Sequence, residues 1–264
     1  MLLCSVNGIT TTQVECVDRG LLFGDGVFTT AKIQKGNIVE LNAHLNRLII
    51  ACQRLFITLP DMHWLQHYVE QQALAFELAV LKIIITSGLG NRGYARSKNA
   101  QPTVLVMVSE FPQHYANWQQ QGISLGISAV TLGINPLLAG MKHLNRLEQV
   151  LIKQQAELAT EDDMLVLNCA GQVIETSCAN LFWWQNDCFF TPDLTQSGVD
   201  GVFRQKILRA CPQAKIVTNS LADLNNIQAM FVCNSLMEIV PVKRFNHQLL
   251  DISMVHTFRE QIQC

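Results

Sequence analysis

Apolar patterning runs along this 264-residue chain twice, with a polar stretch between the two passages. From Leu2 to Ser109, short alternating runs and turn pairs give way to helical periodicity and then to two longer apolar runs. Phe111 to Gln121 is polar, and from Ile123 a similar succession starts again. A length that supports one large domain or two ordinary ones, patterned in this way, predicts an α+β protein of two domains. The expected bounds are 1–110 and 122–264, with 111–121 as linker and the second domain carrying Lys142.

The elements follow from period and punctuation. Leu2 to Val6, an Asn7-Gly8 turn and Ile9 onward read as a hairpin, as do Val27 to Gln34, Lys35-Gly36 and Ile38 to Leu41. Leu45, Leu48, Ile49, Cys52, Leu55 and Phe56 mark one stripe of a helix, and Met62 to about Phe76 a second helix. Strands are expected at Val80 to Thr86 and Thr103 to Ser109 around a Gly-rich loop, Gly88 to Gly93. In the second half a helix is expected over Arg146 to Leu158, with Leu147, Val150, Leu151 and Leu158 inward. Asn145 and Glu148 have the spacing of a capping box at its start. Strand pairs turn over Cys169-Ala170-Gly171 and Asn186-Asp187, and a short helix is expected from Val202 to Ala210.

Composition excludes several classes of function. Net charge is −2 with no block of one sign, which argues against a nucleic-acid surface. Nine cysteines are scattered singly with no C-x-x-C pair, which points to a reducing compartment rather than a disulfide framework. The apolar region around Ala73 to Thr86 is interrupted by Glu77 and Lys82, and no segment reads as membrane-spanning or secretory. The expectation is a cytoplasmic protein without nucleic-acid or membrane partners.

Chemistry-bearing residues occur at five places. Lys142 stands ahead of a helix beside His143 and Arg146, and nearby positive charge with partial burial favours the neutral amine that Schiff-base chemistry uses. Arg47 lies in His44-Leu45-Asn46-Arg47-Leu48. Glu175 ends an apolar strand. Gly198-Val199-Asp200-Gly201-Val202-Phe203-Arg204 opens a helix with glycines. Cys233-Asn234-Ser235-Leu236 ends a strand in small polar groups. A helix N-terminus, a hydroxyl and an arginine can hold a phosphate, a carboxylate can hold a pyridinium nitrogen, and a lysine can form a Schiff base. Those are the protein's contributions to pyridoxal-phosphate chemistry.

Here the chain resembles the class-IV aminotransferase group of pyridoxal-phosphate enzymes, which includes the branched-chain and D-amino-acid aminotransferases. The matching stretches come in the family's order: Phe23-Gly24-Asp25-Gly26-Val27-Phe28, His44 to Leu48, Lys142, Glu175 with Asn180-Leu181-Phe182, Gly201-Val202, and Glu238-Ile239-Val240-Pro241-Val242. Phe28-Thr29-Thr30-Ala31, Asn91-Arg92-Gly93-Tyr94 and Leu138 to Gln149 are most similar to its lyase branch, which splits 4-amino-4-deoxychorismate into 4-aminobenzoate and pyruvate in folate biosynthesis. The resemblance implies a two-domain fold of type IV, like D-amino-acid aminotransferase, and a homodimer. It implies that Lys142 carries the cofactor, Glu175 pairs with its ring nitrogen, and Arg47, Val202, Phe203 and Ser235 hold its phosphate.

Strand alternation puts Phe28 and Thr30 on one face. Phe28 is expected to face the substrate and Thr30 to orient or relay a proton to the leaving oxygen. Arg92 is the candidate for a substrate carboxylate, while Arg146 and His143 are secondary. An aminotransferase of the same fold is the alternative activity. His63 and His67, four apart on a helix, would fit a metal-dependent hydrolase, but no third ligand suggests itself and no metal is expected. A binding protein that has lost its chemistry is the remaining alternative.

Overall fold

The computed structural model describes residues 1–262. Two compact units account for them: Met1–Pro112 together with Met141–Asn145, and Gln113–Gly140 together with the chain from Arg146 onward.

The first unit contains β1 (Leu3–Val6), β2 (Ile9–Thr10), α1 (Arg19–Phe23), β3 (Gly26–Gln34), β4 (Asn37–Ile38), α2 (Leu41–Arg54), α3 (Met62–Ala73), β5 (Leu78–Thr86) and β6 (Thr103–Glu110). Its strands form a six-stranded sheet in the order β2-β1-β6-β5-β3-β4, antiparallel throughout. Asn7 and Gly8 both adopt positive φ (50° and 81°), the geometry of a tight hairpin turn. Period-two patterning gives the sheet two different faces. Val27, Thr29, Ala31 and Ile33 are buried on one, with Leu81, Ile83 and Ile85 from β5, and α2 packs against β3. Phe28, Thr30 and Lys32 share the opposite, half-buried face with Lys82 and Ile84. The α2 stripe is buried at Leu45, Leu48 and Cys52, whereas Phe56 lies past the end of the helix and is exposed.

The second unit contains α4 (His114–Gln121), β7 (Ile123–Ile127), α5 (Leu147–Leu158), β8 (Asp163–Leu167), β9 (Val173–Thr176), β10 (Asn180–Gln185), β11 (Cys188–Pro192), α6 (Val202–Ala210), β12 (Lys215–Val217), β13 (Ala229–Asn234), β14 (Glu238–Phe245), β15 (Gln248–Leu249) and α7 (Ile252–Gln261). The sheet runs β12-β11-β10-β13-β14-β7-β8-β9, with β15 added on β14. Both faces of its centre are buried, so β10 reads as the unbroken run Leu181-Phe182-Trp183. Leu181 and Trp183 pack with Val232 and Val240 on one side. Phe182 and Phe231 stack at 5.2 Å on the other, against Phe203 and Ile207 of α6 and Val255 of α7.

Three local expectations are corrected. The polar stretch read as a linker carries α4, which the second unit includes. Leu147, Val150, Leu151 and Leu158 point outward (72%, 59%, 48% and 85% exposed), and α5 buries Ile152 and Ala156 against Leu132, Met164, Val166 and Ile174 instead. Two stripes of α5 are apolar, so periodicity alone could not choose between them. The capping box does not form either: Arg146 is the N-cap, Asn145 Nδ2 donates to the Gly24 carbonyl, and Glu148 Oε1 accepts from the Gly133 amide.

Candidate active-site residues

Lys142 belongs to the first unit, not the second, because main-chain pairing fixes its segment beside β3. The Phe28 amide donates to the Lys142 carbonyl at 2.9 Å, the Leu144 amide donates to the Gly26 carbonyl at 3.0 Å, and Val27 bridges His143. Gly26 is needed for this approach, since a Cβ there would stand 2.7 Å from Leu144 Cδ1 and 2.7 Å from the Ile85 carbonyl. The pairing brings the Lys142 Nζ to 4.7 Å from the centre of the Phe28 ring. Two sequence candidates thereby meet, and Thr30 lies on the same sheet face as Phe28.

Thr29, on the buried face, meets the phosphate candidate. Arg47 Nη2 donates to Thr29 Oγ1, and that oxygen stands 2.6 Å from His44 Nδ1. Arg47 and the neutral His44 ring thus share one hydroxyl, Arg47 as donor and Nδ1 as donor or acceptor according to the imidazole tautomer. Burial, with the Arg47 charge adding to it, lowers the His44 pKa to about 3 and keeps the ring neutral. Thr29 and His44 therefore fix the guanidinium, a role sequence reading did not assign. The signal was present: strand alternation puts Thr29 opposite to Thr30, and His44 and Arg47 are three apart on one helix.

In the second unit, Glu175 is buried and its Oε2 accepts from the Val199 amide at 2.9 Å. Gly198 makes room for this, its φ being 83° and any Cβ standing 3.2 Å from Glu175 Oε2. Asn180 holds the same loop, donating to the Val199 carbonyl (2.8 Å) and accepting from the Gly201 amide (3.1 Å). Burial holds the Arg146 pKa below its ordinary value, while the charges of Glu175 and Glu148 act to restore it. The two carboxylate charges offset the unfavourable placement of an arginine at a helix start. Gly201 is the N-cap of α6 and offers no side chain to the amides that follow, Val202 and Phe203 among them. Asn234 Oδ1 closes the turn after β13 by accepting from the Leu236 and Met237 amides, and the half-buried Ser235 hydroxyl takes no part in that turn.

Arg92 is exposed in the Gly-rich loop, where no hydrogen bond or ion pair engages it among the described residues. The loop beyond it is anchored by Asp25, the residue before β3. Asp25 receives Arg19 Nε at 2.8 Å, Ser87 Oγ at 2.6 Å and a bidentate contact from Arg96. Arg19 in turn donates to the carbonyls of Gly93 (3.1 Å), Tyr94 (2.8 Å) and Ala95 (3.3 Å). Burial alone would raise the Asp25 pKa, but hydrogen bonds from Arg96, Ser87 and Arg19 bring it down to about 2. His63 and His67 are exposed on α3, and no group of three or more potential metal ligands occurs among the described residues.

Comparison with known proteins accords with this arrangement. The family model described as amino-transferase class IV matches residues 26–245. Aminodeoxychorismate lyase of Vibrio harveyi is 39% identical over 241 residues, covering 90% of this chain and 89% of that protein. The crystal structure of 4-amino-4-deoxychorismate lyase from Pseudomonas aeruginosa superposes with a TM-score of 0.93 at 33% identity, covering 99% of this chain and 98% of that one. A hypothetical aminotransferase from Mycobacterium tuberculosis, solved in a PLP-bound form, has a TM-score of 0.86 at 19% identity over 99% and 97% of the two chains and shares the fold. The two α+β units are those of a type-IV fold, and the chain belongs to the amino-transferase class IV family.

Proposed function

We propose that this protein is a pyridoxal-phosphate-dependent lyase that converts 4-amino-4-deoxychorismate into 4-aminobenzoate and pyruvate. The observation that carries the reading is Lys142, locked by main-chain pairing against β3 with its ammonium over Phe28. The residues fit the cofactor: α6 opens on amides that Gly201 leaves uncapped, Arg47 is held rigidly by Thr29, and Glu175 is a buried carboxylate. In this reading Lys142 is the attachment point, Glu175 holds the ring nitrogen, and Arg47, Ser235 and the Val202 and Phe203 amides bind the phosphate.

When bound, the cofactor supplies an electron sink conjugated to the substrate amine. The protein's residues do the rest. Lys142 takes the proton from the amine-bearing ring carbon. Glu175, fixed by the Val199 amide, holds positive charge on the pyridine nitrogen and so deepens the sink. The C–O bond to the enolpyruvyl group breaks, its oxygen leaving with the electron pair, and the ring becomes aromatic. Thr30 orients or relays a proton to that oxygen, since a threonine hydroxyl is too weak an acid to act alone. Aromatisation drives the elimination, and no keto acid is needed as second substrate. Phe28 lines the substrate face, and Arg92 receives a substrate carboxylate.

We further propose a homodimer in the cytoplasm. The outward leucines and valine of α5 form an apolar surface of the kind that marks an interface. The eight described cysteines are free, as a reducing compartment requires, and no helix among the described residues is long and apolar enough to cross a membrane.

The test is a coupled assay for pyruvate with the holoenzyme. Equal release of pyruvate and 4-aminobenzoate without added keto acid is expected. Lys142→Ala should abolish both and remove the borohydride-sensitive near-visible band. Keto-acid-dependent conversion of the cofactor to its amine form, without pyruvate, would reassign the protein as an aminotransferase.

A further inference from the structure

Asp200 stands one residue ahead of Gly201, the N-cap of α6. A carboxylate at such a place is drawn to the helix start, where unpaired amides and the dipole attract negative charge. Here both of its oxygens are held instead by side chains reaching back from α6. Arg204 Nη1 donates to Oδ1 at 2.8 Å, and Gln205 Nε2 lies 2.8 Å from Oδ1 and 2.6 Å from Oδ2. Arg204 is itself fixed: it is 3% exposed and also donates to the Pro192 carbonyl (2.9 Å) and to Thr191 Oγ1 (3.3 Å). The main chain of Asp200 is pinned as well. Its amide donates to the Gly140 carbonyl at 3.1 Å, and the Gly140 amide donates to the Gly198 carbonyl at 3.0 Å. With the backbone held, the side-chain torsions of Asp200 decide where its charge points. The Gln205 amide bonds the Gly201 carbonyl at 3.0 Å, so the amides ahead of it, at Val202, Phe203 and Arg204, are those left for an outside anion.

We infer that Arg204 and Gln205 are positioning residues that withhold the Asp200 carboxylate from the start of α6 and so keep its amides open to the cofactor phosphate. This assignment rests on the pyridoxal-phosphate reading of that helix and deepens it. A carboxylate released from the clamp competes with the phosphate from within the chain, at the high effective concentration of a tethered group. Even without reaching the amides, a free carboxylate beside them repels a phosphate dianion. The two partners divide the work. Arg204 neutralises the charge, whereas Gln205 is a neutral donor that adds no charge and fixes the direction in which the carboxylate points.

Gln205→Met provides the test, because it removes the neutral donor at nearly equal size and leaves the ion pair in place. It is compared with Asp200→Asn and with the double variant. The full chain, freed of cofactor, is titrated by its near-visible band with pyridoxal phosphate and with pyridoxal, a probe that lacks the phosphate. Gln205→Met should weaken pyridoxal-phosphate affinity by about threefold to tenfold, the range for one charge at a helix N-terminus, and leave pyridoxal affinity unchanged. Asp200→Asn, alone or with Gln205→Met, should bind pyridoxal phosphate no more weakly than wild type. Its thermal stability should fall all the same, because buried Arg204 loses its counterion. Full affinity at reduced stability is a combination that a merely structural clamp does not give. Unchanged affinity in Gln205→Met, equal weakening toward pyridoxal, or a double variant as weak as Gln205→Met would overturn the assignment. Wild-type protein that forms no near-visible band, or that binds pyridoxal as tightly as its phosphate, would refute the cofactor-phosphate reading itself, before any variant is compared.

Discussion

Asp25→Asn offers a quantitative test of how the loop bearing Arg92 is held. The carboxylate receives two guanidiniums and the Ser87 hydroxyl, with Arg19 only 3% exposed and Arg96 30%. Removing one partner of a buried ion pair costs about 3–5 kcal/mol. Arg96 is partly solvated and an asparagine retains one acceptor oxygen, so a loss of about 2–3 kcal/mol is expected at pH 7. The pH dependence is more diagnostic. Asp25 titrates at about 2 in the fold against 3.8 for a free carboxylate, so its pKa is depressed by folding. Its contribution is therefore complete above the unfolded value and is lost as pH falls toward about 2. The shift corresponds to about 2.5 kcal/mol at most. Urea unfolding of wild type and variant between pH 7 and pH 2 should show a stability gap that narrows by about this amount below pH 5. Other carboxylates titrate in both proteins and cancel in the difference. A gap independent of pH would refute the anchoring role of the charge. Because Arg19 ties the carbonyls of Gly93, Tyr94 and Ala95, limited proteolysis should also cut this loop faster in the variant.

Further outcomes are expected at the site. Thr29→Val should weaken pyridoxal-phosphate affinity by about tenfold or more in an absorbance titration, because Arg47 and His44 lose the oxygen that aligns them, and Thr29→Ser should restore it. Gly201→Ala should lower both cofactor affinity and thermal stability, since the added Cβ would collide with Asn180 Oδ1 at the mouth of α6, and intact affinity would remove that end of the helix from the phosphate site. His44 is held neutral by burial, with a folded pKa of about 3 against 6.5, so the unfolded chain takes up its proton first as pH falls. Apo-protein stability should decline from about pH 6.5 downward, and His44→Gln should flatten that decline in urea unfolding curves.

Much of the fold is set locally and can be read from the chain. Strand alternation, Asn-Gly and Asn-Asp turns, and the Gly-Val opening of α6 are properties of a few consecutive residues. The structure keeps β3, the Asn186-Asp187 turn and the α6 bounds within a residue or so of their expected positions. Lys142, Glu175 and Arg47 could be nominated as site residues from the chain alone, because their motifs have an order that needs no coordinates, and their roles stand as proposals. What tertiary structure alone decides is which neighbour each group meets. The pairing of Phe28 with Lys142 joins residues more than a hundred positions apart, and no period in the sequence encodes it. That pairing moves Lys142 into the first unit, away from the half of the chain that surrounds it in sequence. The same holds for α5, where two apolar stripes compete and the one that fits against Met164 and Val166 is buried. It holds again for the adjacent threonines: alternation separates Thr29 from Thr30, but only the packing of α2 on one face gives Thr29 to Arg47 and leaves Thr30 opposite Lys82.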